Sequence, residues 1–315
     1  LNEQPQNPPL QQTMTKTTAL SDASSSYRLH NDKRQIVRPP SIIDHCNHAT
    51  NENNNDDPSS TLFLFSNDRI RVSDFRLHPS QTAKCKHEYP TVRWQVAYHG
   101  TAEYELKIIS NDDHHHDQDA DEDVKDEASQ PIPTRVATAV AAGEVADRQV
   151  HYVEAGTTWE ITNTSSEDDT SLYNRQIVFE FLSNKPKYTE YEIREELFAN
   201  AIYSTDVGTN LVFENELCRC WDFYLDPSQG GGVDTVHHHC LDYVFINVAP
   251  SRLLGLHPET LSLDDELLLF DSVSEDNQVT WNSIPRDAGA DIAFAHGGKN
   301  GYDDRPMREY LIELK

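Results

Sequence analysis

His237, His238 and His239 place three imidazoles in succession within a stretch that reads as a β-strand. In extended chain, residues i and i+2 project to the same side. His237 and His239 would therefore aim their rings into one space, with His238 facing the other way. Paired imidazoles are suited to divalent transition metals, although an isolated His-x-His also occurs in ordinary loops. Two other groups compete for attention. Cys218 and Cys220 share a strand face in the same manner, but no second such pair follows to complete a zinc site. His114, His115 and His116 stand beside several aspartates, where an exposed polar loop is the preferred reading over adventitious metal binding.

The chain around these groups has 315 residues, enough for two domains that each bury a core, plus tails. It carries 26 Lys and Arg against 53 Asp and Glu, for a net charge of -27. That balance repels phosphate backbones, so a nucleic-acid partner is not expected. No apolar run reaches the roughly 18 to 20 residues that a membrane span needs. The sequence opens on Leu1, so an upstream targeting segment is compatible with it and the compartment stays open. The cysteines are Cys46, Cys85, Cys218, Cys220 and Cys240, an odd set without framework spacing, which argues against a disulfide-stapled secreted domain.

Residues 1–59 are rich in Gln, Asn, Ser, Thr, Pro and Asp and read as a low-complexity arm draped over the body. A second such stretch, 111–133, reads as an acidic loop inserted between strands. The rest is mostly short alternating runs, such as Arg69-Ile-Arg-Val72, Gln149-Val-His-Tyr-Val153 and Gln176-Ile-Val-Phe-Glu-Phe181. One segment departs from that period. Thr189-Glu-Tyr-Glu192 has the form of a capping box, with Ile193, Leu197 and Ala201 following at helical spacing. A helix over about 190–203 is expected there, within a linker at 186–205 that joins two β domains at 60–185 and 206–315.

An internal repeat fixes that organisation. Ser73-Asp-Phe-Arg-Leu-His-Pro-Ser-Gln81 returns as Trp221-Asp-Phe-Tyr-Leu-Asp-Pro-Ser-Gln229, identical at six of nine positions. Cys85-Lys-His87 lies over His237-His-His239, and Arg175-Gln-Ile-Val-Phe-Glu180 over Arg308-Glu-Tyr-Leu-Ile-Glu313. Three matches in one order, at offsets of 133 to 152 residues, mark a duplicated β domain.

On these segments the chain resembles the cupin superfamily over residues 61–315. His237-x-His239 is similar to the first cupin motif, in which His-x-His opens a strand. His296-Gly-Gly-Lys-Asn300 is similar to the His-x-x-x-Asn of the second. The resemblance implies an all-β fold of tandem jelly-roll barrels joined by a short helix, a bicupin. It also implies that His296 closes a third corner with His237 and His239, around Fe, Mn, Zn, Ni or Cu. The usual cupin Glu falls near Tyr243. Asp242 should alternate to the other face, which leaves a three-histidine site with Tyr243 beside it. Asn300 is expected to be a structural hydrogen-bonder, Arg308 and Glu313 to lie on the closing strand, and Cys240 to be a packed small hydrophobe. The N-terminal copy has lost the motif: Cys85 stands in the first position and Trp159 in that of His296, so that barrel reads as structural or as a binder of an apolar ligand.

The function implied is a metal-dependent enzyme acting on a small organic substrate. Dioxygenase chemistry is the first choice, and a lyase or isomerase using Tyr243 for proton transfer the next. The alternative is a non-catalytic storage, scaffold or partner-binding bicupin with a vestigial site. A third reading makes the acidic loop a trap for cations or a basic partner. Tandem barrels packed as a pseudo-dimer are compatible with a monomer or a homodimer.

Overall fold

The computed structural model describes residues 61–96, 149–165, 173–227, 234–264 and 267–315, together with the backbone of strands at 35–37, 59–60, 104–109 and 135–139. The acidic stretch 111–133, with His114, His115 and His116, lies outside the described residues, as do Cys46 and nearly all of the arm. From the arm only β1 (Gln35–Val37) is described, antiparallel to β17 (Val279–Asn282).

The described elements form two all-β units, each a pair of facing antiparallel sheets. In the first, one sheet has the order β2 (Ser59–Ser66), β3 (Ile70–Leu77), β10 (Asn174–Phe181), β5 (Thr91–Val96), β8 (Val150–Val153). Its partner sheet runs β4 (Thr82–Lys86), β9 (Thr158–Asn163), β6 (Tyr104–Ile109), β7 (Arg135–Ala139). In the second unit, β1 and β17 are followed by β14 (Asp242–Asn247), β19 (Met307–Leu314), β12 (Cys218–Leu225) and β11 (Asn210–Glu214). The facing sheet runs β13 (His237–His238), β18 (Ala295–Asn300), β15 (Ser251–Leu256), β16 (Phe270–Ser274). Strands distant in sequence lie side by side in both units, which is the tandem jelly-roll topology expected from the duplication.

The repeat extends to structural details as well as to sequence. The strands β3 and β12, which hold the first repeat, are eight residues each. Their neighbours β2 and β11 bulge at equivalent places, between Phe63 and Phe65 in one copy and between Leu211 and Phe213 in the other. Buried ion pairs are duplicated too. Arg175 Nε lies 3.2 Å from Asp74, and Arg308 Nη2 lies 2.9 Å from Asp222. Arg308 thus points away from its own barrel interior.

The two barrels share a core. Strand alternation sends one face of each large sheet inward and the other outward. The outward faces meet in an apolar seam that includes Val72, Trp94, Ile177, Cys220, Val244 and Ile312. At its centre the rings of Trp94 and Tyr310 stack with centroids 4.1 Å apart, and Tyr310 donates its hydroxyl proton to the Gln95 carbonyl at 2.7 Å. Cys218 and Cys220 lie in this seam as free thiols with sulfurs 3.8 Å apart. They do share a face, as the spacing suggested, and they pack in the apolar core.

The connecting helix begins with the expected capping box. The Thr189 hydroxyl accepts from the Glu192 amide at 3.2 Å, and the Glu192 carboxylate accepts from the Thr189 amide at 2.8 Å. The helix Glu192–Phe198 is wound in wide π turns, closed by the Ala199 amide donating to Arg194. It stops short of 203 because the Ile202 amide is drawn to the Gly289 carbonyl instead. Ile193 and Leu197 pack against Cys240 and Leu241, so the helix buttresses the chain just after the histidine strand. Among the described residues, no helix is long and apolar enough to cross a membrane.

Candidate metal centre

The histidine motif folds as a two-residue strand, β13, with His239 immediately after it. His237 pairs across the sheet with His296 on β18, and the His239 amide is held by the Phe294 carbonyl at 3.0 Å. His238 turns to the opposite side, where its Nε2 donates to the carbonyls of Ala288 and Asp291, each at 2.9 Å. Burial lowers the pKa of that ring, and its role is to anchor the strand. The alternation read from the sequence therefore holds, although the strand is only two residues long.

The three remaining rings meet. Centroid separations are 4.9 Å for His237 and His239, 4.7 Å for His237 and His296, and 5.0 Å for His239 and His296. One ligating nitrogen from each lies within 4.8 Å of the others. A common ion at about 2.0–2.1 Å from each nitrogen would need spacings of about 3 Å, so the rings would close by a fraction of their present separation. The arrangement can hold a metal ion.

The polarity of the rings fits that use. His237 Nδ1 donates to the Thr235 carbonyl at 3.1 Å, with an Asp234 carboxylate oxygen 2.8 Å from the same nitrogen. A ring whose Nδ1 holds the proton presents the Nε2 lone pair, the usual brace for a metal-binding histidine. His237 and His239 are buried, and His296 is half-buried.

Tyr243 lies beside the triad on β14, its ring stacked on that of His239 at 4.2 Å. Asp242 faces away, as alternation required. Its carboxylate accepts from Arg69 at 2.6 Å and from the Ile284 amide at 2.7 Å, which joins the barrels and takes it out of the site. Glu313, on the closing strand, is fully buried. It accepts from Arg219 at 3.0 Å and from Trp221 Nε1 at 2.8 Å. Burial pushes its pKa up to about 7, against the pull of Arg219 and Trp221. Burial likewise pushes the Cys240 thiol up to about 12, which suits a packed hydrophobe and not a nucleophile. Asn300 donates to the carbonyls of Leu225, Asp226 and Arg305 and so pins loops, as expected.

Sequence reasoning missed three features of the site. The triad opens on a cavity of about 30 Å³. Glu309, from the closing strand, lines it and accepts from Asn247 Nδ2 at 2.9 Å. Glu309 shares a strand face with Glu313 four residues on, but on a strand buried throughout that pairing does not tell which face lines the site. Phe270 forms a wall, edge-on to His296 at 5.7 Å. Gly255 makes room for that wall, since a Cβ there would lie 2.3 Å from the Phe270 ring. No sequence motif announces that contact.

The structure is thus a tandem pair of jelly-roll barrels, of which the C-terminal one carries a histidine cluster drawn from β13 and β18 and from the residue just after β13. No protein-family profile matches the chain. No curated protein matches it either. Solved structures do resemble it. AerE from Microcystis aeruginosa is 8% identical, with 89% of this chain and 98% of that one covered at a TM-score of 0.47. An 11S globulin from Wrightia tinctoria is 10% identical, with 90% and 84% covered at 0.49. An oxalate decarboxylase is 7% identical, with 88% and 77% covered at 0.46.

Proposed function

We propose that the C-terminal barrel holds one divalent transition metal on His237, His239 and His296, and that the chain is a metal-dependent enzyme acting on a small organic substrate. The observation that supports this reading is the near-equilateral ring triangle, braced at His237 and opening on a cavity. A bound ion of this kind supplies Lewis acidity and open positions for substrate, which suits dioxygenase chemistry first and a lyase or isomerase next. The chain's own groups have separable tasks. Asp234 and Thr235 orient His237, and the stack of Tyr243 on His239 sets the angle of that ring. The Tyr243 hydroxyl is the candidate proton donor or acceptor. Phe223, Phe245 and Phe270 exclude water from the space above the triad.

The test is metal titration of apo protein with Fe(II), Mn(II), Zn(II), Ni(II) and Cu(II), followed by thermal unfolding and elemental analysis. One equivalent should bind, and at a hundredfold excess over Kd the fold should gain about 2.7 kcal/mol, a rise of several degrees in Tm. His237→Ala should abolish both. Tyr243→Phe should keep the metal and lose turnover. Absence of any shift in the unsubstituted protein removes the enzyme reading and leaves a storage or scaffold bicupin. The smallness of the cavity and the outward turn of Asp242 favour that second reading, since no motif carboxylate joins the histidines.

A further inference from the structure

A ligand reaches a buried site past side chains that touch both the cavity and solvent. Most of the lining around the triad is buried, Phe223, Phe245 and Leu311 included. Leu253, Phe270 and His296 are the half-buried members of that lining, so they mark the mouth. His296 is fixed once it holds an ion. Leu253 is fixed by packing, against the buried cluster of Phe223, Leu225 and Met307. Its strand, β15, is also paired on both sides, with β16 and with β18. Phe270 is placed differently. It is the first residue of β16, and among the described residues β16 ends its sheet, paired with β15 alone.

The Phe270 ring lies close on the sheet, on the face that His296 presents to the cavity. His296 and Gly298 share that face by alternation, and Gly298, Gly255 and Phe270 follow one another across β18, β15 and β16. A Cβ at Gly255 would lie 2.3 Å from the Phe270 ring, and one at Gly298 would lie 3.2 Å from Leu253. Two glycines abreast thus let both mouth residues settle onto the sheet. The ring then stands edge-on to His296 at 5.7 Å, beside the place where the three imidazoles would hold an ion. The space left is about 30 Å³, roughly one water.

We infer that Phe270 sets the size of ligand that reaches the ion. With its ring in place, the open positions take a donor group carried on about one to three heavy atoms. A bulkier molecule must displace the ring, and that displacement lowers its affinity. Phe270 is therefore a specificity-determining residue that acts by shape and not by charge. This rests on the metal reading of the same site.

The experiment uses the full chain loaded with Co(II) and follows its visible absorption. Formate and benzoate are titrated, two monocarboxylates that offer the ion the same donor group and charge on bodies of different bulk. Comparing each probe between proteins cancels its intrinsic affinity for the ion. Phe270→Ala should raise benzoate affinity at least tenfold and change formate affinity less than threefold. Phe270→Leu, which keeps an apolar side chain on the strand, should give a smaller gain for benzoate alone. A Co(II) spectrum that matches the unsubstituted protein shows that each variant keeps its triad. An equal gain for both probes, unchanged benzoate affinity, or a larger benzoate gain from Leu253→Ala overturns the role of Phe270. Lack of a Co(II) spectrum in the unsubstituted protein would instead overturn the metal reading, and this inference with it.

Discussion

The N-terminal and C-terminal barrels use one backbone plan to opposite ends. His237 faces His296 across a sheet, and at the equivalent place Cys85 faces Trp159. Trp159 is fully buried, and the Arg93 guanidinium lies against its ring at 4.9 Å and against Phe75 at 4.6 Å. The interior that holds a cavity in one copy is filled in the other by an indole and a cation. An acid–base pair shows the same divergence. Arg219 and Glu313 are buried at 3.0 Å, whereas their counterparts Arg71 and Glu180 meet at 3.3 Å at a partly exposed edge. The difference teaches that a jelly roll tolerates replacement of its inner residues because its outer face, spent on the partner barrel, maintains the fold.

Exchange between the copies gives the largest expected effect. His237→Cys with His296→Trp should take metal content from one equivalent to none by elemental analysis. Cys85→His with Trp159→His should add none, because Arg93 stays beside the new ligands and repels a cation. A second equivalent in that variant would break the comparison. Next comes the seam. Trp94→Ala, at a site of zero exposure, should cost about 3–5 kcal/mol in urea unfolding and leave one transition for both barrels. Two transitions, with the C-terminal one unmoved, would show that the barrels are independent.

The smallest effect is acid sensitivity arising from two buried histidines of the N-terminal barrel. Burial, then the nearby Arg93 charge, lowers His87 to about 3 and His151 to about 4 from an ordinary 6.5. The unfolded chain therefore takes up protons first as pH falls. Stability from these rings is complete above pH 6.5 and is lost as pH drops toward 4 for His151 and 3 for His87. By pH 5 each should have lost roughly 2 kcal/mol. His87→Gln should remove about half of that slope in urea midpoints measured from pH 7 to 5. Parallel curves for the two proteins would refute the assignment.

Much of this was legible in the sequence. The repeat gave the duplicated barrel because its three segments lie on corresponding strands, and the i, i+2 rule separated His238 from its neighbours. Trp159 in place of His296 marked the copy without the histidine cluster. What stayed hidden depended on pairs distant in the chain. Glu309 was obscured because every residue of β19 is buried, inside and outside, so polarity along the strand does not report facing. Phe270 and Gly255 meet only through the pairing of β15 with β16. The seam was hidden for a similar reason: strands apolar on both faces read alike whether they cover a neighbour or a core.

That seam has a consequence for anyone dissecting the chain. Each half alone would present to water a broad oily surface including Trp94 and Phe179 or Tyr310 and Ile312, and such a surface invites aggregation. The N-terminal barrel is therefore not an accessory that could be trimmed away: it covers the oily face of its neighbour, and a mutation on its own outward face should reduce the yield of folded chain without touching the histidine triad.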